Sequence, residues 1–330
     1  MDLAPRSGDE FAALLDAGEW YEGIVGSEGR LVLVDGDRLP DTLGRRAMER
    51  LHTLPAVVTA VVADPDTRRP VWADLVVGPG SPALDAAAVT IEANPGAATT
   101  LAVLLRNGQH RSIAEGLIEE SLAYGLLQAG PEFTTWRREH PARTRPPVTE
   151  PSALASRDGG ELSVTLNRPH VRNALDAGMR DELLALLHVA TVDRTVTSVV
   201  VRGNGASFSS GGDLDEFGSR PDPVTAHLVR LQRNLGRTMA ELADRTTVHL
   251  QGATVGSGIE LAAFAHRVVA DPSTRISLPE VHLGLIPGAG GTVSLPRRIG
   301  RHATMLLAVG LPSIDAETAR RWGLVDELEP

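Results

Sequence analysis

The chain has 330 residues, 42% of them hydrophobic and 22% charged, which suits a soluble protein of one large or two ordinary domains. Its net charge of −10 argues against a phosphate-backbone binder, so nucleic acid is not an expected partner. It has no cysteine and all 32 basic residues are arginine, which excludes disulfides, thiolate chemistry, a lysine Schiff base and a Walker-type phosphate loop.

No apolar run is long enough to span a bilayer, and MDLAPRSGDEF lacks the basic and apolar regions of a signal peptide. A soluble cytoplasmic protein is expected. In chain order, strands are predicted at 31–36 and 56–64, flanking a helix near 41–52. A helical stretch follows from Leu84 to about Arg138. The segment 141–156 is rich in Pro, Ser and Thr and reads as a linker. The domain division is 1–145, a linker at 146–156, and 157–330. The last part alternates strands (161–167, 197–203, 248–252, 266–271) with helices (173–189, 224–243, 259–265). This is the signature of an α/β domain with largely parallel pairing.

Three glycine-rich loops stand out: SFSSGGDLDEF (207–217), GATVGSGIELA (252–262) and LPEVHLGLIPGAGGT (278–292). Glycine lets backbone amides approach a ligand closely. An N–H from each of the first two loops, aimed at one pocket, makes an oxyanion hole for a thioester carbonyl becoming an enolate. Glu260 starts a helix after Gly256-Ser257-Gly258, and Glu280 follows Pro279 in an adjacent loop. Two carboxyls beside such a hole suit addition and elimination of water, provided one is protonated while the other is ionised.

The pieces LNRPHVRNAL, SSGGDL, QGATVGSGIELA, SLPEVHLGLIPGAGGT and ARRWGLVDE, in that order and spacing over 161–327, resemble the crotonase (enoyl-CoA hydratase/isomerase) superfamily. The resemblance implies a spiral ββα core, an acyl-CoA thioester substrate, and neither metal nor redox cofactor. It puts the oxyanion amides at Gly212 and Ser257 and the acids at Glu260 and Glu280. It sets Gly211, Asp213, Leu214, Gly256, Gly258, Pro287 and Gly288 against the substrate. Relatives with other activities usually lack one glutamate, so the expected reaction is hydration or dehydration of an enoyl-CoA. The alternatives are double-bond isomerisation, dehydration of a specialised biosynthetic acyl thioester, or a non-catalytic partner subunit. A symmetric homo-oligomer is expected, with a trimer or hexamer favoured and a dimer changed by the N-terminal part as the alternative.

Two departures stand beside the resemblance. Serine occupies the 257 position, where relatives often carry glycine or alanine. The helical region that normally follows the core, covering the acyl pocket and building the trimer, has no counterpart before Pro330. Instead, segment 93–144 looks like it, through Asn94-Pro95, Glu115-Gly116-Leu117, Glu119, Tyr124 and the arginine-rich end. Residues 1–145 are therefore expected to be a smaller α/β, degenerate crotonase-like part, whose helices at 93–138 cap the catalytic part.

Several residues carry plainer readings. Asp213 is expected to tie up loop amides. Arg137, Arg138, Arg143 and Arg145 read first as a solvated linker face and second as contacts to CoA phosphates. His249, His266 and His282 lack metal-ligand spacing. Trp20, Trp72, Trp136 and Trp322 are assigned to packing.

Overall fold

The computed structural model describes residues 5–17, 30–144 and 149–329, so Trp20, Arg145 and part of the expected linker lie outside the described residues. Helix α1 (Gly8–Ala17), strand β1 (Leu31–Asp35), helix α2 (Arg45–Thr53) and strands β2 (Val57–Val61) and β3 (Leu75–Val77) come first. The three strands form a parallel sheet in chain order. β2 is Val-Val-Thr-Ala-Val and almost wholly buried, as a central parallel strand covered on both faces should be. α1 and the three-residue β3 were not predicted; β3 is too short to show any alternation.

The expected helical stretch consists of four helices: α3 (Pro82–Ala93), α4 (Pro95–Asn107), α5 (Ile113–Gln128) and α6 (Pro131–Glu139). Proline opens three of them, because it fits the first helical turn but not a helix interior. α5 instead opens on a Ser112/Glu115 capping box.

The rest of the chain supplies strands β4 (Ala153–Asp158), β5 (Glu161–Leu166), β6 (Ser198–Gly203), β7 (Thr246–Leu250), β8 (Ala253–Val255), β9 (Arg267–Ala270), β10 (Arg275–Ser277), β11 (Ile314–Asp315) and β12 (Glu327–Leu328). Its helices are α7 (Ala177–Val192), α8 (Pro223–Gln232), α9 (Leu235–Glu241), α10 (Ser257–Ala262), α11 (Gly291–Val309) and α12 (Ala316–Trp322). A six-stranded sheet runs β12-β9-β7-β6-β5-β4, parallel except for the β4–β5 hairpin. A small sheet, β11-β10-β8, lies outside it.

Three sequence expectations need correction. The linker does not reach 156: β4 begins at Ala153, and since only Ala153 of this strand is buried, no apolar period marks it. The helix expected from 173 starts at Ala177. Arg172 and Asn173 are left-handed, and the Asp176 side chain accepts from Met179 N. The helix expected over 224–243 breaks at Arg233, and the Asn234 side chain caps α9.

Packing also divides the chain differently from residue 145. One continuous core runs from Leu84, Leu101, Leu117 and Phe133 of the helices into Val164, Ile259 and Leu307 of the later part. A separate core, with Phe11, Leu15, Val58 and Trp72, lies on one face of the N-terminal sheet, while Leu33, Val57 and Leu75 on its other face join the continuous core. The helical segment thus packs with the later part: α4 and α5 lie on α11, and α5 also packs on α8. α5 approaches α11 so closely at Gly116 that a Cβ there would stand 2.8 Å from Val293. Among the described residues, no single helix is long and apolar enough to cross a membrane.

A buried ion cluster joins the N-terminal sheet to the rest. Asp74 receives Arg106 of α4 at 2.5 and 3.0 Å and Arg301 of α11 at 3.4 Å, all three side chains being nearly inaccessible. Arg106 also donates to the carbonyls of Leu51, Leu54 and Ala56, and Arg301 to Val71 O. Asp74→Ala leaves two buried guanidinium groups without their counter-ion. It is expected to cost about 3–5 kcal/mol, read as a lower denaturant midpoint; an unchanged midpoint would show the cluster to be dispensable.

Candidate active site

Two loops converge through backbone bonds to shared neighbours. Leu175 N donates to Gly211 O (2.8 Å) and Asp213 N to Leu175 O (2.9 Å), on either side of Gly212. The Gly212 N–H itself makes no hydrogen bond with any described residue, and Gly212 lines a cavity of about 230 Å³. Three residues before Gly212, Ser209 exchanges bonds with Ala253 O and Val255 N at β8. Chain direction then reverses at Gly256 (φ 48°, ψ −120°) into α10, whose first residue is Ser257. Gly256 is obligatory twice over: its φ is positive, and a Cβ would lie 2.2 Å from Glu280 Oε1. Gly212 and Ser257 therefore face one cavity together with Glu260 and Glu280.

The remaining expected contacts divide. Asp213 and Gly288 line the cavity. Gly211 and Gly258 lie behind the lining, where their missing Cβ atoms permit contacts with Val255 and Ser209. Pro287 is buried behind it, against Gly291. Leu214 points its side chain to solvent and offers its carbonyl to Arg137. Asp213 is engaged as a loop-tying residue: its carboxylate takes both terminal nitrogens of buried Arg168 at 3.2 Å and the amide of Asp215. Arg137, partly exposed, stacks over Trp136 at 4.9 Å. Arg143 pairs with Asp215. Trp72 is fully buried, as expected of a packing residue.

Glu260 is buried, and its Oε2 accepts the amides of Ala289 (2.7 Å) and Gly291 (2.9 Å). Glu280, also buried, leaves Oε2 with no hydrogen-bond partner, as does the hydroxyl of Ser257. Two orphaned polar atoms lining one cavity are the kind of exception that marks a site for a reacting group.

Sequence reasoning missed a third carboxyl. Glu120, on α5, is buried; it accepts Gly290 N (2.7 Å) on one oxygen and Thr292 N (2.9 Å) and Thr292 Oγ1 (2.7 Å) on the other. The amides of 289, 290, 291 and 292 thus alternate between Glu260 and Glu120. Its neighbour Glu119, one of the residues that carried the resemblance, instead meets Arg111 at 2.5 Å. A signal for Glu120 was present: it falls in helical register with Leu117, Tyr124 and Leu127, a carboxyl on the buried face of α5.

Burial raises all three acids, and the charge of a neighbouring carboxylate adds to it for Glu280 and Glu260. Burial pushes Glu280 up to about 7, with the charge of Glu120 adding to it. Burial also lifts Glu120 to about 7, against the hydrogen bonds from Thr292 and Gly290. Burial, then the charges of Glu280 and Glu120, hold Glu260 well above the ordinary carboxylate range, against the two amides.

These shifts have a measurable sign. Below pH 4.5, the ordinary value, Glu280 is protonated in folded and unfolded chains alike and stability is unaffected. As pH rises towards 7 the unfolded chain releases a proton the folded one keeps, so stability falls; above 7 the loss is complete. Glu280→Gln should therefore be more stable than wild type at pH 8, by on the order of 1–3 kcal/mol, and equal to it at pH 4. Thermal melts at both pH values check this, and a gain of the same size at each would mean that ionisation is not its source.

Residues 157–330 match the family described as enoyl-CoA hydratase/isomerase. The chain is 34% identical over 177 residues to 2,3-dehydroadipyl-CoA hydratase of Escherichia coli (strain K12), covering 54% of this chain and 69% of that one. It is 31% identical over 172 residues to trans-2-decenoyl-acyl-carrier-protein isomerase of Streptococcus mutans serotype c, covering 51% and 65%. The crystal structure of enoyl-CoA hydratase from Thermoplasma volcanium GSS1 superposes with a TM-score of 0.50 at 30% identity, over 55% of this chain and 72% of that one. The matches thus span about two thirds of these relatives' lengths.

Proposed function

The chain belongs to the enoyl-CoA hydratase/isomerase family and is an enzyme of the hydratase (lyase) type, and we propose that it adds water reversibly across the double bond of an α,β-unsaturated acyl-CoA thioester. The observation that carries this reading is the sharing of one cavity by two buried carboxyls, Glu260 and Glu280, with the unengaged amides of Gly212 and Ser257.

In this reading the two amides donate to the thioester oxygen and stabilise the enolate that forms as the β-carbon is attacked. Glu260, clamped by Ala289 and Gly291, orients the water and helps remove its proton. Glu280, whose Oε2 is free of protein partners, acts on the same water and supplies the α-proton. Hydroxide ends on the β-carbon and a proton on the α-carbon, and the carboxyl pair finishes with the proton count it began with. Such a pair titrates as a unit, and one that raises its own pKa values holds a proton near neutral pH.

Crotonyl-CoA hydration, followed by loss of the conjugated thioester absorbance, tests the proposal. Glu260→Gln and Glu280→Gln should each lower kcat at least about 100-fold. The acidic limb of the wild-type profile should lie near pH 7 and move to lower pH in Glu120→Gln, since removing a nearby negative charge eases ionisation of both acids. A shift of a double bond without hydration would select an isomerase. Binding without turnover of any enoyl thioester would select a non-catalytic subunit.

We also propose a homo-oligomer. Ile118, Leu122 and Leu126 form an exposed apolar stripe on α5, and Val224 and Leu228 a second on its neighbour α8. Exposed apolar surface of this kind is a mark of subunit contact. Light scattering should give a multiple of the 34.9 kDa chain mass, and Leu122→Glu/Leu126→Glu should reduce it; a wild-type monomer would refute the proposal.

A further inference from the structure

The cavity that holds the reacting groups has a cationic wall. Arg230, on α8, lines it together with Tyr124 and Gln128 of α5. Its Nε donates to Ser121 Oγ (2.9 Å) and its Nη2 to Ser121 O (3.1 Å). The guanidinium lies 4.9 Å from the centre of the Tyr124 ring. These contacts fix the plane of the group and leave Nη1 without an acceptor among the described residues. No carboxylate among the described residues stands within 4.0 Å of it. Glu120 influences it electrostatically, but both of its oxygens are committed to Gly290 and Thr292. Three other arginines at the same cavity differ: Arg180 and Arg233 both pair with Asp181, and Arg220 is exposed to solvent.

A half-buried cation, held rigidly and given no counter-ion by its own protein, is a place for an anion from outside. Its position decides which part of the substrate brings that anion. Tyr124 separates Arg230 from the catalytic loop: a Cβ on Gly288 would lie 2.4 Å from the Tyr124 ring, and the next residue, Ala289, holds Glu260. The cation therefore stands one aromatic ring away from the reacting acids, within reach of an acyl tail. The cavity, at about 230 Å³, is smaller than the roughly 300–1,000 Å³ that engulf drug-sized ligands. A short acyl chain fits that size.

Resting on the hydratase reading above, we propose that the substrate's acyl chain is short and ends in a carboxylate, which Arg230 receives at the far wall of the cavity. A methyl-terminated chain of equal length leaves the guanidinium unpaired and removes water from it, so the site discriminates against it by omission as well as by attraction.

The test uses saturated ligands that need no turnover: calorimetric binding of hexanedioyl-CoA and hexanoyl-CoA to the full-length protein. The wild type should bind the dicarboxylic ligand at least about 10-fold more tightly, the yield of one charge-assisted hydrogen-bonded pair. Arg230→Gln should bring the two affinities within about twofold, and Arg230→Lys should keep part of the difference. Should Arg230→Gln melt early, the lysine variant and the wild-type preference carry the comparison. Equal wild-type affinities would overturn the proposal. So would an equal loss for both ligands in Arg230→Gln, which would assign Arg230 to the CoA moiety they share. Hydration of the matching 2-enoyl thioesters is assayed in parallel. Failure of both to react, with the binding preference intact, would sink the hydratase reading and leave the carboxylate site standing.

Discussion

Four consecutive backbone amides, from Ala289 to Thr292, are divided alternately between two buried carboxyls, and the geometry of the site depends on that grip. Glu260 takes 289 and 291; Glu120 takes 290 and 292. Ala289 and Gly290 lead into α11 and Gly291 and Thr292 open it, where N–H groups have no intrahelical acceptor, so the two acids satisfy these donors and hold the loop at the helix start. The loop is glycine-rich for a steric reason. A Cβ at Gly288 would strike Tyr124, and one at Gly291 would lie 2.6 Å from Glu260 Cγ. Without side chains the backbone comes close enough for its amides to reach the acids, and Glu260 is fixed by the same bonds that fix the loop.

Concentrating three carboxyls in a dry space is unfavourable for folding, and the chain offsets it only in part. Amides and a threonine hydroxyl satisfy Glu120 fully, whereas Glu280 keeps an unpaired buried oxygen, and Ser257 on the same cavity an unpaired hydroxyl. This asymmetry separates structure from chemistry. The acid with complete hydrogen bonding holds the frame, and the acid with a vacant oxygen faces the space where a reacting group would enter.

Much of this was legible in the sequence, because the signals were local. The glycine clusters around 211, 256 and 290 announced close backbone approach. Glu260 and Glu280 stood at fixed spacing from those clusters, and the hydrophobic runs of β5, β6, β7 and β9 fell where the strands form. Less legible were elements whose cause lies elsewhere in the chain. β4 exists because β5 offers it a hydrogen-bonding edge, not because its own residues alternate. The start of α7 is delayed by two left-handed residues whose conformation comes from bonds to distant loops: the Asn173 side chain donates to the carbonyls of Asn204 and Ser207. Glu120 belongs to no motif, and its partners lie 170 and 172 residues away.

That separation bears on how the molecule assembles. Synthesis delivers helices α3 to α6 after the N-terminal strands but before α8, α9 and α11, on which they also pack, so part of their apolar surface waits until α11 has emerged. The Glu120 bonds to Gly290 and Thr292 close a very large loop, a contact whose entropic cost is met before its reward is collected. Catalytic alignment should therefore be among the last things to form on the ribosome, and a nascent chain halted before Gly290 would present a helical hairpin with an unmatched acid on its inner face. Such an intermediate is the kind of client that chaperones hold.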